Sequence, residues 1–276
     1  FVPGLKYRRG CPILYLLSEG VPWKQSAPSS MAKAAEVLDD KGPLSDESKG
    51  LLAPYSELIR DYEPLPDARW RFGKPNYAKV NACYFQNRSK MHKEGSLEAV
   101  VNKLVKNWQV ESHNIADIHH WHTMDISKFK AALNGGCPCS ARLLADIGHN
   151  NMLLGETQDY TSKDNTIESS QSNFMAAMPE GFAWEVLEVF SGPPTVTFKW
   201  RHFGKFVGSF QDKTGKAHKG DGKMVDLIGI CIAKVNAELK IETLDVYYNP
   251  DDMIKPLLSN IKEAKEEQAA SGCNLM

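Results

Sequence analysis

The chain of 276 residues has no apolar run near the about eighteen residues that a membrane-crossing helix requires. It also lacks an excess of charge of either sign. Its 33 basic and 34 acidic residues give a net charge of −1, which leaves no electrostatic footprint for nucleic acid. Cysteine is sparse, six in all, and Cys137-Pro138-Cys139 is a CxC rather than the CxxC of redox and zinc modules. Reduced thiols in a cytoplasmic protein are the expectation. No Gly-rich phosphate loop, dinucleotide fingerprint, nucleophile elbow or paired Cys-His signature is present, so no cofactor and no metal are expected. Arg8-Arg9 ahead of residues 11–17 has the outline of a signal peptide, but the apolar stretch is short and broken by Pro12. Internal repeats and low-complexity tracts are absent as well.

What is present is the composition of an ordinary globular protein, 42% hydrophobic and 24% charged. Residues 1–66 hold eight prolines, from Pro3 to Pro66, and read as an irregular extension with short helices near 31–38 and 55–61. It has too few periodic apolar positions for a core of its own. A domain over 67–265 and a flexible tail over 266–276 follow. From Ser96 the pattern turns helical: Ser96 is an N-cap, Glu98 suits the first turn, and Leu97, Val101, Leu104, Val105 and Trp108 fall on one face. A shorter helix is expected over 141–154, after the break at Asn134-Gly135-Gly136.

Strands then take over, at 182–190 and 195–203 around Ser191-Gly192-Pro193-Pro194, and at 224–235 and 239–248 around Asn236-Ala237-Glu238. Helices first and consecutive antiparallel strands afterwards predict an α+β fold. Because successive strand residues point oppositely, Val196, Phe198, Trp200 and His202 share one apolar face, away from Thr195, Thr197, Lys199 and Arg201. By the same phase Asp226 goes with Met224, Ile228 and Ile230. In the last strand Ile241, Thr243, Asp245, Tyr247 and Asn249 go together.

The runs Gly181-Phe182-Ala183-Trp184-Glu185-Val186-Leu187-Glu188-Val189, Ser191-Gly192-Pro193-Pro194 and Phe198-Lys199-Trp200-Arg201-His202 carry a resemblance. They look like the plant and fungal pathogen-related protein family, a branch of the SnoaL-like, NTF2-like superfamily. Trp70-Arg71-Phe72-Gly73, Gly95-Ser96-Leu97-Glu98 and residues 102–108 are similar to that family too, and the likeness runs from about 70 to 258. The resemblance implies an NTF2-like cone, a strongly curved antiparallel sheet wrapped around helices with a pocket at its open end. It also implies a His near the end of one strand, here His202. The family's Asp at the end of the final strand falls here on Asn249, with Asp251 and Asp252 just beyond. An amide exchanges no proton at neutral pH, so Asn249 does not supply the acid–base group that the family carries at that position.

Placed in such a cone, His202, Asp226 and Asp245 are the candidate acid–base groups, with a lining of Trp184, Phe198, Trp200 and Tyr247. The structural alternative is that His202 hydrogen-bonds a buried neighbour and that the two acids flank turns or pair with Arg201 or Lys199. His113, His119, His120 and His122 place four of the eight histidines within ten residues. They lack the i, i+4 geometry of a zinc site and read as a polar loop near the pocket mouth, with Trp121 as a lid. Tyr160, His149 and Asn150 reach the pocket if their segment lines it. Cys273-Asn274-Leu275-Met276 fits the C-a-a-X prenylation pattern, which would bring the chain to a membrane, although no polybasic cluster supplies a second anchor.

Two functions are compatible with these residues. One is a cofactor-free cyclase, isomerase or dehydratase acting on a polyketide- or terpenoid-like compound, with Tyr247 donating to an oxyanion. The other is a non-catalytic ligand-binding or interaction module, which the resemblance links to defence or stress, and the resemblance also implies a homodimer through the exposed sheet face.

Overall fold

The computed structural model describes residues 68–258. The extension over 1–66, the tail and Cys273 lie outside them. Helix α1 (Ala78–Asn87) is followed by α2 (Leu97–Gln109), where Ser96 caps as its spacing predicts: its Oγ accepts from the Ala99 N–H at 3.2 Å. One turn of π-helix, Val110–Asn114, continues α2 directly. Strands β1 (Lys130–Leu133) and β2 (Cys139–Ser140) come next, then α3 (Ala141–Leu154) and α4 (Ile167–Ala177).

The long strands are β3 (Ala183–Ser191), β4 (Thr195–Lys205), β7 (Met224–Val235) and β8 (Ile241–Tyr247), and α5 (Asp251–Leu257) closes the described chain. The Gly-rich stretch between β4 and β7 is not a bare loop. It holds a small hairpin of β5 (Ser209–Gln211) and β6 (Ala217–Lys219), tied by His218 Nε2 to Asp212 at 2.8 Å.

The main sheet runs β2-β1-β8-β7-β4-β3. The fold is the α+β, NTF2-like one the resemblance implies, with one correction. The sheet is mixed, because β1 pairs parallel with β8, Lys130 opposite Thr243. The short Ala-rich β1 gives no alternating signal of its own and is drawn in by β8 (a tertiary effect on a weak local preference).

Inner residues stand in register across the sheet. Trp184 pairs with His202 and His202 with Leu227, Trp200 with Gly229, Phe198 with Cys231, and Cys231 with Val246. Along β7 burial alternates without a break: Val225, Leu227, Gly229, Cys231, Ala233 and Val235 are buried, and the residues between them are not. The helices α2, α3 and α4 lie over that inner face.

A second set of contacts fixes the β3 side. The Glu185 carboxylate is fully buried and accepts from the Ser89 N–H and hydroxyl, the Lys90 N–H and Arg201 Nη1 at 3.0 Å. Arg201 Nη1 also donates to the Asn87 carbonyl at 2.9 Å. Asn87, which opens a formal glycosylation sequon, instead donates its amide to the Cys83 carbonyl at 2.9 Å.

Candidate functional site

Between the inner sheet face and the helices lies a cavity of about 680 Å³. Its sheet wall carries Val196, Phe198, Trp200 and His202 from β4, Leu227, Cys231 and Ala233 from β7, and Leu244 and Val246 from β8. Its helical wall includes all five apolar-face residues of α2, namely Leu97, Val101, Leu104, Val105 and Trp108, with Phe174 and Met175 from α4. Among the described residues that line it there is no aspartate and no glutamate. Three histidines do line it: His113, His149 and His202.

His202 sits at the end of β4 with its ring stacked on Phe182, centroids 3.6 Å apart. It touches the cavity and is half-buried. That burial pulls its pKa from the ordinary value down to about 3, with a hydrogen bond to the Phe182 backbone pulling weakly the other way. It is therefore neutral at physiological pH. Trp200 fits flat on the sheet because its cross-strand neighbour is glycine. A Cβ on Gly229 would stand 2.2 Å from Trp200 Cζ2. The Trp200 indole then meets Tyr248 edge-on at 5.5 Å, and the Tyr248 hydroxyl donates to the Leu153 carbonyl at 2.6 Å.

At the other polar point, His149 stacks on Trp108 at 4.3 Å, and the His113 ring lies 5.6 Å from it. Both have depressed pKa values. Burial is the main cause in each, helped for His149 by the charge His113 would carry and opposed for His113 by a hydrogen bond with Gln171. The local cause of this arrangement is Gly148. Its φ of 79° breaks the run of α3, and a side chain there would strike Ile167 at 2.6 Å. The kink turns His149 and Asn150 to the cavity, which is why helical phase read from sequence left them unassigned.

The predicted site residues divide cleanly. His202, Trp184, Phe198 and Trp200 line the cavity, and so do His149 and Asn150. Asp226, Asp245, Tyr247, Asn249, Trp121 and Tyr160 do not. Asp226 has the strand phase expected of it, but that face of β7 is the outer one, and its carboxylate takes a two-pronged bond from Arg201 at 2.7 and 2.6 Å. Asp245 and Tyr247 face outward because β8 carries an irregularity. Val235 pairs with Ile241 but Lys234 with Thr243, so Ile241, Leu244 and Val246 all turn inward. Counting by twos from Ile241 put the wrong residues inside.

Asn249 is exposed and precedes α5, donating to Asp252 Oδ1 at 2.9 Å and accepting from the Asp251 N–H at 3.2 Å. Trp121 is a core residue rather than a lid, with its indole N–H on the Ile115 carbonyl at 3.2 Å. The Tyr160 hydroxyl donates to Asn151 Oδ1 at 2.5 Å, and its ring lies behind the wall residue Phe174 at 6.0 Å. The histidine loop is polar, but His119, His120 and His122 are not in the wall. The fully buried Glu111 anchors it by accepting from the His122 and Thr123 N–H groups at 2.8 and 3.0 Å. Among the described residues no group of three His, Cys, Asp or Glu side chains is placed to hold a metal ion, and no helix is long and apolar enough to cross a membrane. Sequence reasoning missed Gln171 and Phe174 because α4 was not foreseen. Thr166, whose Oγ1 accepts from the Ser169 N–H at 3.1 Å, was the available N-cap signal.

A curved α+β sheet of NTF2-like architecture thus closes over a mostly apolar cavity with no carboxylate in its wall among the described residues. No family model matches the chain. It does match a barley (Hordeum vulgare) protein named pathogen-related protein, at 31% identity over 215 residues, covering 75% of this chain and 88% of that one. The chain thus belongs to the pathogen-related protein family. Solved structures similar to it include a SnoaL-like protein from Jannaschia sp. CCS1, 12% identical, covering 60% of this chain and 96% of that one with a TM-score of 0.32. A phenazine biosynthesis-related protein from Pseudomonas aeruginosa is also 12% identical, covering 60% and 88%, with a TM-score of 0.31.

Proposed function

We propose that the protein binds a small hydrophobic molecule, of polyketide, terpenoid or steroid-like shape, in this cavity. The observation that carries the reading is a cavity of about 680 Å³ walled by aromatic and aliphatic side chains and approached by three neutral histidines but no carboxylate. Its size suits a multi-ring compound, since small-molecule sites span roughly 300–1,000 Å³. The test is native mass spectrometry of the protein from its own source, with organic extraction of what is bound. An apolar compound should co-purify, and Ala233→Phe, which fills the wall between β4 and β8, should lose it. An empty protein whose properties are unchanged by Ala233→Phe refutes the reading.

Cofactor-free turnover is the second reading, favoured by the presence of His202 in the wall. Binding is put first because an imidazole with a pKa near 3 takes a proton weakly at neutral pH, and Asp226 and Asp245, its intended partners, face outward. Incubating the extracted compound with wild type and His202→Ala separates the two: a product made only by wild type establishes turnover. The outer sheet face suits a second copy of the chain. Ile228, Ile230, Ile232 and Tyr247 are 53%, 40%, 37% and 40% exposed there, and Ile230 and Tyr247 are directly paired across β7 and β8.

A further inference from the structure

His149 is 6% exposed, and its ring is held on both sides of its chemistry. The Ser112 oxygen lies 2.5 Å from the Trp108 carbonyl and 2.7 Å from His149 Nε2. A carbonyl can only accept, so the single hydroxyl proton of Ser112 goes to Trp108. The Ser112 oxygen therefore meets His149 with a lone pair, and Nε2 must carry the imidazole proton. Burial keeps the ring neutral, and a neutral imidazole has only one N–H, so Nδ1 is bare. No hydrogen bond among the described residues uses Nδ1, and the residue lines the cavity. Stacking on Trp108 and the Gly148 kink leave the ring little freedom to turn away.

We propose that His149 Nδ1 is the acceptor for a hydroxyl group of the bound molecule, so that the cavity selects hydroxylated apolar compounds (phenols, enols, sterol-like alcohols) over the parent hydrocarbons. Ser112 is the positioning residue, since it fixes which nitrogen is free. An acceptor at the cavity wall with no protein partner gains one from the ligand's O–H, which a parent hydrocarbon cannot supply. The inference rests on the cavity being a ligand site.

The test uses the full chain and a matched pair of probes, pyrene and 1-hydroxypyrene, followed by quenching of the wall tryptophans Trp108, Trp184 and Trp200. The ratio of the two dissociation constants should favour 1-hydroxypyrene in wild type. That preference should fall about tenfold in His149→Phe, which keeps an aromatic ring on Trp108 but has no acceptor; tenfold is the worth of one hydrogen bond. The same ratio in both proteins overturns the proposal while leaving the cavity reading intact. Failure of both probes to bind wild type overturns the cavity reading and this proposal with it. Should His149→Phe not fold, imidazole ¹⁵N spectra of wild type decide the matter. Nδ1 of His149 should be unprotonated in the free protein and shift with 1-hydroxypyrene but not with pyrene, whereas a protonated Nδ1, or no difference between the probes, overturns the assignment.

Discussion

Gly229→Ala is the sharpest single test of how the cavity wall is built. The change adds one methyl group to the middle of β7, where alanine ordinarily stabilises a strand over glycine by about 0.5–1 kcal/mol. Here the new Cβ would lie 2.2 and 2.6 Å from two atoms of the Trp200 indole and 2.7 Å from the Tyr247 carbonyl oxygen. The carbonyl belongs to the neighbouring strand, and the indole is a rigid plate braced by Tyr248 at 5.5 Å. Neither yields as the tip of a flexible chain would. Overpacking of this kind costs about 1–3 kcal/mol, which outweighs the backbone gain, so a net loss of about 1 kcal/mol is expected. Urea unfolding should show a lower midpoint with an unchanged slope. Trp200→Leu should recover much of the loss when combined with Gly229→Ala, because it removes the struck ring, although alone it destabilises. A Gly229→Ala protein as stable as wild type would refute the account of Trp200 lying across the glycine.

Other perturbations separate structural from functional roles. Histidines 113, 149 and 202 all have folded pKa values below that of the unfolded chain, so the folded state binds fewer protons. Stability is then full above pH about 6.5 and falls below it by up to about 1.4 kcal/mol per pH unit per histidine. Urea midpoints measured between pH 7 and 4.5 should show this limb, and His202→Gln should flatten it; a flat limb in wild type argues against neutral burial. Arg201→Met leaves the fully buried Glu185 without its cation and should cost about 3–5 kcal/mol. By contrast, Asp226→Asn, whose side chain is 41% exposed, should cost about 1 kcal/mol or less and leave ligand binding intact. Lost binding in Asp226→Asn with an unchanged fold would return that residue to the site. Ile230→Lys on the outer sheet face should leave the unfolding midpoint of the monomer near wild type while abolishing any dimer seen by sedimentation velocity. A dimer that survives it places the contact elsewhere.

Much of the wall was legible in the sequence because two strong periodicities write it. The helical spacing of Leu97, Val101, Leu104, Val105 and Trp108 and the alternation from Val196 to His202 both survive into the structure, and all nine of these side chains line the cavity. One failure arises because periodicity assigns a face but not which face is inner. On β7 the outer row holds Ile228, Ile230 and Ile232, larger and more apolar than the inner Gly229, Cys231 and Ala233, so hydrophobicity pointed the wrong way. The small inner row exists to make room for Trp200 and the cavity. On β8 one irregularity near Glu242 was enough to put Asp245 and Tyr247 outside. The π-turn after α2 and the kink at Gly148 break the period on which any helical wheel depends, and between them they set His113 and His149.

The sheet and the helices supply different halves of the cavity's chemistry. The row from Val196 to Trp200, continued by Cys231, Ala233, Leu244 and Val246, offers bulk and shape, whereas His113 and His149, two of the three histidines in the wall, sit on helical segments that are irregular or follow an irregularity. The body of a guest and its polar head would thus be read by parts of the chain that need not change together. A relative could trade one polar head for another by altering a few helical positions, leaving the sheet untouched. It could equally lengthen or narrow the accepted body through the small residues of β7, keeping the same anchor. Such a division makes one scaffold adaptable to a series of chemically related compounds.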